Sequence, residues 1–142
     1  GPDYQRIMEQ SKEYPNVKVT GGYNYEEEIA ALYSDVDLVY SVYDTKRLNV
    51  RLALPNRLYE AIVCGIPIVV AKGTCLERYV NELGVGYSVE YRNVEELRSL
   101  LMHLKTFPKA MQEISNRESM IAERFFYENR EKEFLSWISR LI

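Results

Sequence analysis

Arg57 and Glu60 stand three residues apart in the string LPNRLYEAIVCG, a spacing that puts both on one face of a helix. Such a pair can do two things. Arg57 can neutralise a phosphate while the two carboxylate oxygens of Glu60 accept hydrogen bonds from vicinal ribose hydroxyls, the task an acidic residue performs in dinucleotide-binding folds. Alternatively the two form a helix-surface ion pair worth a few tenths of a kcal/mol. Leu58, Tyr59, Ala61 and Ile62 surround Glu60 in sequence, and a carboxylate without a task is costly among them, which favours the binding reading. Just upstream, the loop DTKRLNVRLAL carries Lys46, Arg47 and Arg51 against one acid, Asp44. With Arg57 it gives a local cationic surplus that runs into a helix entry at Pro55, where free N–H groups also favour anions. A phosphate cradle and an ordinary charged loop both fit that pattern.

The remaining reactive residues point to no second chemistry. Asp35-Val36-Asp37 has the shape of a divalent-metal pair, but it precedes an apolar strand instead of ending one, so it lies at the wrong end of a sheet. His103, the sole histidine, falls on the polar side of its helix with Glu96 and Ser99. Cys64 and Cys75 form no CxxC and have no histidine nearby, which argues for reduced thiols instead of a zinc site or a disulfide. Of the tyrosines, Tyr43 is of interest because it falls at a strand's carboxyl end. Trp137 reads as a packing anchor.

The elements that must position these residues alternate between two hydrophobic periods. Residues 3 to 13 read as a polar helix, and 17 to 20 as a short strand stopped by Gly21 and Gly22. A helix over 25 to 34 carries Glu26, Glu27 and Glu28 in its first turn, where acidic groups suit the helix dipole. VDLVYSVY, 36 to 43, is a strand. The polar loop then leads to Pro55 as first residue of a helix that stops at Gly65. IPIVVA, apolar on both faces, reads as a central parallel strand. Thr74 and Glu77 form a capping box for a helix closed by Gly84; 87 to 91 is a last strand; and Asn93 with Glu96 opens a helix striped by Val94, Leu97, Leu101 and Leu104. Beyond Pro108 the pattern is helical to the end, with Phe134, Ile138 and Leu141 on one side of the last helix.

Strands separated by helices require crossover connections, so the expected class is α/β with a doubly wound parallel sheet and a helical C-terminal segment. The division expected is a partial Rossmann-like domain over 1–106, with helices of 107–142 packing on it. At 142 residues, 46% apolar and 27% charged, the chain is sized and composed for one hydrophobic core. A net charge of −3 excludes a protein that works by wrapping nucleic acid. The longest apolar run, 61 to 71, is too short to span a bilayer, and no segment reads as a signal peptide; the expected location is cytoplasmic.

The string LPNRLYEAIVCGIPIVVAKGTCLERYV, preceded by VTGGYNYEEEIAALYSDVDLVYSVY, resembles the nucleotide-sugar-binding C-terminal domain of GT-B glycosyltransferases, in particular the large retaining class called family 4. The ordered features are Gly21, Asp37, Glu60-Ala61, Gly65-Ile66-Pro67 and Gly84-Val85-Gly86, within residues 16 to 104. The resemblance implies that Glu60 binds the donor's ribose, that Pro55, Asn56 and Arg57 lie beside the diphosphate, and that Gly22 and Tyr43 belong to the donor site. It implies transfer of a sugar from a UDP- or GDP-linked donor, with retention of configuration and with neither metal nor cofactor, the nucleotide sugar being a substrate. Surface-polysaccharide or glycan synthesis is the implied setting.

Two departures qualify the resemblance. Where the family often has a second glutamate, eight positions before Glu60, stands Leu52. The family's first two strands and its acceptor-binding N-terminal domain have no counterpart here, so the chain resembles roughly the last third of such an enzyme. It is expected to be inactive alone, to meet a glycan or lipid-linked acceptor through that other domain, with peripheral membrane attachment open to the full enzyme, and to self-associate through exposed strand edges. A nucleotide-sugar epimerase of the same fold and a noncatalytic nucleotide-binding or scaffold module are the alternatives.

Overall fold

The computed structural model describes residues 3–140. The chain divides between Asp35 and Val36 into two compact units. The first holds α1 (Tyr4–Ser11) and α2 (Tyr25–Ser34). Asn24 caps α2: its side chain accepts from the N–H of Glu26, and its own N–H donates to the Glu28 carboxylate at 2.9 Å. Neither helix has a buried residue. The stretch 17 to 20, expected as a strand, forms none; its turn bond, Val17 N–H to Tyr14 carbonyl, closes the chain on itself. Alternating Val17 and Val19 supply strand propensity, but a strand exists only where a neighbour completes its ladder, and this unit is built of helices.

The second unit is α/β. It runs β1 (Val39–Ser41), α3 (Leu48–Leu52), α4 (Asn56–Cys64), β2 (Ile68–Ala71), α5 (Cys75–Leu83), β3 (Gly86–Val89), α6 (Val94–Thr106) and α7 (Lys109–Ile121). A single 3₁₀ turn, Ala122–Phe125, then leads into α8 (Tyr127–Ile138). The sheet is wholly parallel in the order β1-β2-β3, with Val39 opposite Ile68 and Ile68 opposite Gly86. This is a partial Rossmann-like arrangement followed by a helical segment. β2 is central and buried at every residue, which is why its sequence is continuously apolar. Leu58, Ala61 and Ile62 of α4 and Leu76 and Val80 of α5 complete the core.

Glycine spacing follows from two contacts. Gly65 ends α4 in the left-handed region at φ 69°, and its carbonyl accepts from the Ser115 hydroxyl of α7 at 2.6 Å. A Cβ on Gly86 would lie 2.0 Å from the Ile68 carbonyl oxygen, so no other residue lets β3 approach β2 there.

Several boundaries differ from the sequence pattern. The segment read as a strand over 36 to 43 pairs only at 39–41, and the polar loop holds the five-residue α3. Pro55 sits one position before the helix, as the residue that caps it, not within its first turn. In α6, Leu104 is buried whereas Val94 and Leu101 are exposed. In α8 no residue is buried; Trp137 and Phe134 face outward, so the tryptophan anchors no packing within the unit. Leu141 lies outside the described residues. Among the described residues no helix is long and apolar enough to cross a membrane.

Candidate functional site

The carboxyl ends of β1 and β2 open into a cleft of about 270 Å³. Its floor is Ser41 and Ala71, the last residues of those strands. Its walls are Asn49 and Val50 of α3, Ala53 beyond it, Pro55 at the entry of α4, and Thr74 and Leu76 at the entry of α5; Tyr43, exposed, stands at the mouth. This is where open parallel sheets place ligands, because chain leaving each strand turns into a helix whose first N–H groups lack partners.

Each part has a local cause. The Thr74 hydroxyl donates to the Ala71 carbonyl at 2.8 Å and accepts from the Glu77 N–H at 3.0 Å, while the Glu77 carboxylate accepts from the Gly73 N–H at 2.7 Å. That reciprocal cap fixes the start of α5 against the end of β2. The Asp44 carboxylate accepts from the Lys46 N–H at 3.1 Å and the Asp44 carbonyl from the Arg47 N–H, a turn that launches α3. Ser41 is buried and its hydroxyl has no partner in the structure. An orphaned buried hydroxyl costs about 1–3 kcal/mol, a cost a ligand oxygen or a water can remove.

Arg57 leaves the first turn of α4 and donates to the Tyr43 phenol at 2.7 Å and to the Tyr40 carbonyl at 3.4 Å. Its guanidinium carbon lies 6.0 Å from the Tyr43 ring centre. Glu60 is one turn further on, half-buried and outside the lining of the cleft. Burial first, then the charges of Glu60 and Glu118, push the Cys64 thiol up from its ordinary value, so this free cysteine is a poor nucleophile. Of the residues expected at the site, Tyr43 and Pro55 line the cleft. Asn56 and Arg57 lie at its α4 edge, exposed. Gly22 is exposed and belongs to the other unit.

Lys46, Arg47 and Arg51 are exposed around α3. Lys72, the first residue after β2, is tied instead to Glu96 of α6, whose carboxylate also accepts from the Glu90 N–H at 2.8 Å. The Lys72 bond holds the Glu96 carboxyl below its usual range, and Glu96 raises Lys72 in turn. His103 is exposed beside Phe107, ring centres 5.0 Å apart. Among the described residues no three His, Cys, Asp or Glu side chains gather where they could hold a metal ion.

The pattern in the sequence did not single out Ser41, Asn49, Val50, Ala53 or Leu76. Ser41 had a usable signal, since it is a small polar residue inside the VDLVYSVY strand. Asn49 and Val50 had none, because α3 is too short for a helical period to show.

The fold and the cleft together define an α/β protein with a cleft at its strand ends, and the chain belongs to the glycosyl transferase-like family, whose model matches residues 2–136. It is 30% identical over 88 residues to the succinoglycan biosynthesis protein ExoL of Rhizobium meliloti (strain 1021), a match covering 61% of this chain and 22% of that protein. The chain thus spans about a fifth of the length of that relative. No solved structure matches it.

Proposed function

We propose that this chain is the donor-binding part of a glycosyltransferase that moves a sugar from a nucleoside-diphosphate sugar to an acceptor in polysaccharide or other surface-glycan synthesis. The observation that carries the reading is the cleft at the ends of β1 and β2, walled by Pro55 and Tyr43 and edged by Arg57, in a member of the glycosyl transferase-like family. The name of the matched relative supports the polysaccharide setting. Catalysis here is placement and charge. The α4 entry and the exposed Lys46, Arg47 and Arg51 around α3 favour the departing diphosphate, Arg57 belongs to the donor site at the cleft's edge, and Glu60 holds the ribose so that the anomeric carbon is correctly aimed. Asn56, at the α4 entry, completes the donor-binding set of this unit. Retention of configuration, chemistry without a metal and a cytoplasmic location belong to the same proposal, on the strength of the sequence resemblance. So do a glycan or lipid-linked acceptor held by another domain, and self-association of the isolated chain through its sheet edge.

Titration calorimetry with UDP and with GDP tests it, using the parent, Arg57→Ala and Glu60→Ala. One of the two nucleotides binds the parent, and each substitution weakens that binding by about 1 to 3 kcal/mol, the range for a lost charged hydrogen bond. Unchanged affinity in both variants removes these residues from the site. A parent blind to both nucleotides removes the function.

A further inference from the structure

We propose that Arg57 serves the cleft through Tyr43, as a positioning residue that holds the phenol ring in place as the mouth's aromatic wall, and not as a direct anchor for the ligand's phosphates. The inference rests on the nucleotide-binding reading above and deepens it.

Three observations lead to it. First, Tyr43 lines the cleft while Arg57 does not. Second, Arg57 directs one nitrogen, Nη1, at two acceptors: the Tyr43 phenol at 2.7 Å and the Tyr40 carbonyl at 3.4 Å. Tyr40 lies in the middle of β1, and because the Val39 N–H bonds the Pro67 carbonyl beside β2, the polar groups of Tyr40 point away from β2 along the sheet's outer edge. Arg57 therefore grips a rigid strand carbonyl and a loop side chain at once. Third, Tyr43 follows the end of β1 by two residues, lies in no regular element and is 41% exposed. A phenol so placed has many accessible rotamers, and a charged donor at 2.7 Å from a helix-borne guanidinium selects one. The guanidinium also lies 6.0 Å from the ring centre, a distance at which the ring's quadrupole still attracts it. Together these contacts join the loop after β1 to the first turn of α4, the two segments that bound the mouth.

A double-mutant cycle separates positioning from direct anchoring. Arg57→Ala, Tyr43→Phe and the double variant are titrated with the nucleotide, UDP or GDP, that binds the parent, in the intact protein. Tyr43→Phe keeps the ring and removes only the oxygen that Arg57 holds. Positioning predicts that each single change weakens binding about tenfold, that the double variant is no weaker than either single one, and that the losses are the same at low and high salt. Thermal unfolding midpoints stay at the parent's value, because the contacts are exposed; a merely structural role would lower midpoint and affinity in parallel. The proposal is overturned by losses that multiply to about a hundredfold in the double variant. It is overturned equally by a Tyr43→Phe variant that binds like the parent while Arg57→Ala loses affinity in a salt-dependent way, the behaviour of a phosphate anchor. A parent that binds neither nucleotide brings down the reading of the site and this inference with it.

Discussion

At the scale of single residues, the group most at odds with its surroundings lies outside the cleft. Glu118, on α7, is fully buried, and neither carboxylate oxygen has a hydrogen-bond partner. Burial pushes its pKa up to about 8 from an ordinary 4.5, so it is held as the neutral acid. Between those two values the unfolded chain ionises Glu118 and the folded chain does not. The folded state then binds more protons, and its stability falls as pH rises, by about 1.4 kcal/mol for each pH unit. Below pH 4.5 both states are protonated and the effect vanishes. Glu118→Gln, which cannot ionise, is therefore expected to unfold at a higher temperature than the parent at pH 8 and to show little difference near pH 4.5. Parallel melting curves across that range would mean that the carboxyl finds a partner. This residue was illegible in sequence, where it is one of six acids matched by six bases beyond Pro108 and looks like part of a solvated face. What buries it is tertiary: α7 lies against α4, and the Ser115 hydroxyl of α7 bonds the Gly65 carbonyl at the end of α4.

At the scale of elements, legibility followed from how much of the signal was local. The helices 25–34, 56–64 and 75–83 fall within one residue of their sequence limits because each carries its own punctuation: Asn24 with three glutamates, Pro55 with Gly65, Thr74 with Gly84. Strand limits depend on neighbours, and there the pattern overreached. Tyr43 reads as strand yet lies beyond the last paired residue, and 17 to 20 pairs with nothing in its own unit. The candidate site divided along the same line. Pro55 and Tyr43 could be placed from a helix entry and a strand end, whereas the cleft wall from α3 required the folded loop. The Thr74 cap is where an element and the site meet, since its hydroxyl joins the end of β2 to the start of α5 and the residue lines the cleft. Thr74→Ala should cost about 1 kcal/mol of stability, read as a thermal midpoint lower by roughly 4 °C for a unit of this size, and should weaken nucleotide binding as well. A midpoint equal to the parent's would show that Glu77 alone secures the turn.

At the scale of the whole molecule, two apolar or unpaired surfaces stand out. One is β1, an end strand of the sheet whose Tyr40 is 52% exposed and whose Tyr40 N–H points away from β2. The other is α8, where Tyr127, Phe134, Leu135 and Trp137 are all exposed. Both can drive association, but by different physics: an edge strand offers a row of backbone bonds, a helix face offers apolar area. Light scattering over a concentration series of the isolated chain is expected to show self-association. Tyr40→Pro removes the outward N–H without touching the bonds of Val39 and Ser41 to β2, and it keeps the carbonyl that Arg57 uses, so it should return the chain to a monomer. Trp137→Asp should not. Association that survives Tyr40→Pro and is lost in Trp137→Asp would assign the contact to α8. A parent that stays monomeric at every concentration would mean that this edge is too short, at three paired residues, to recruit a second copy.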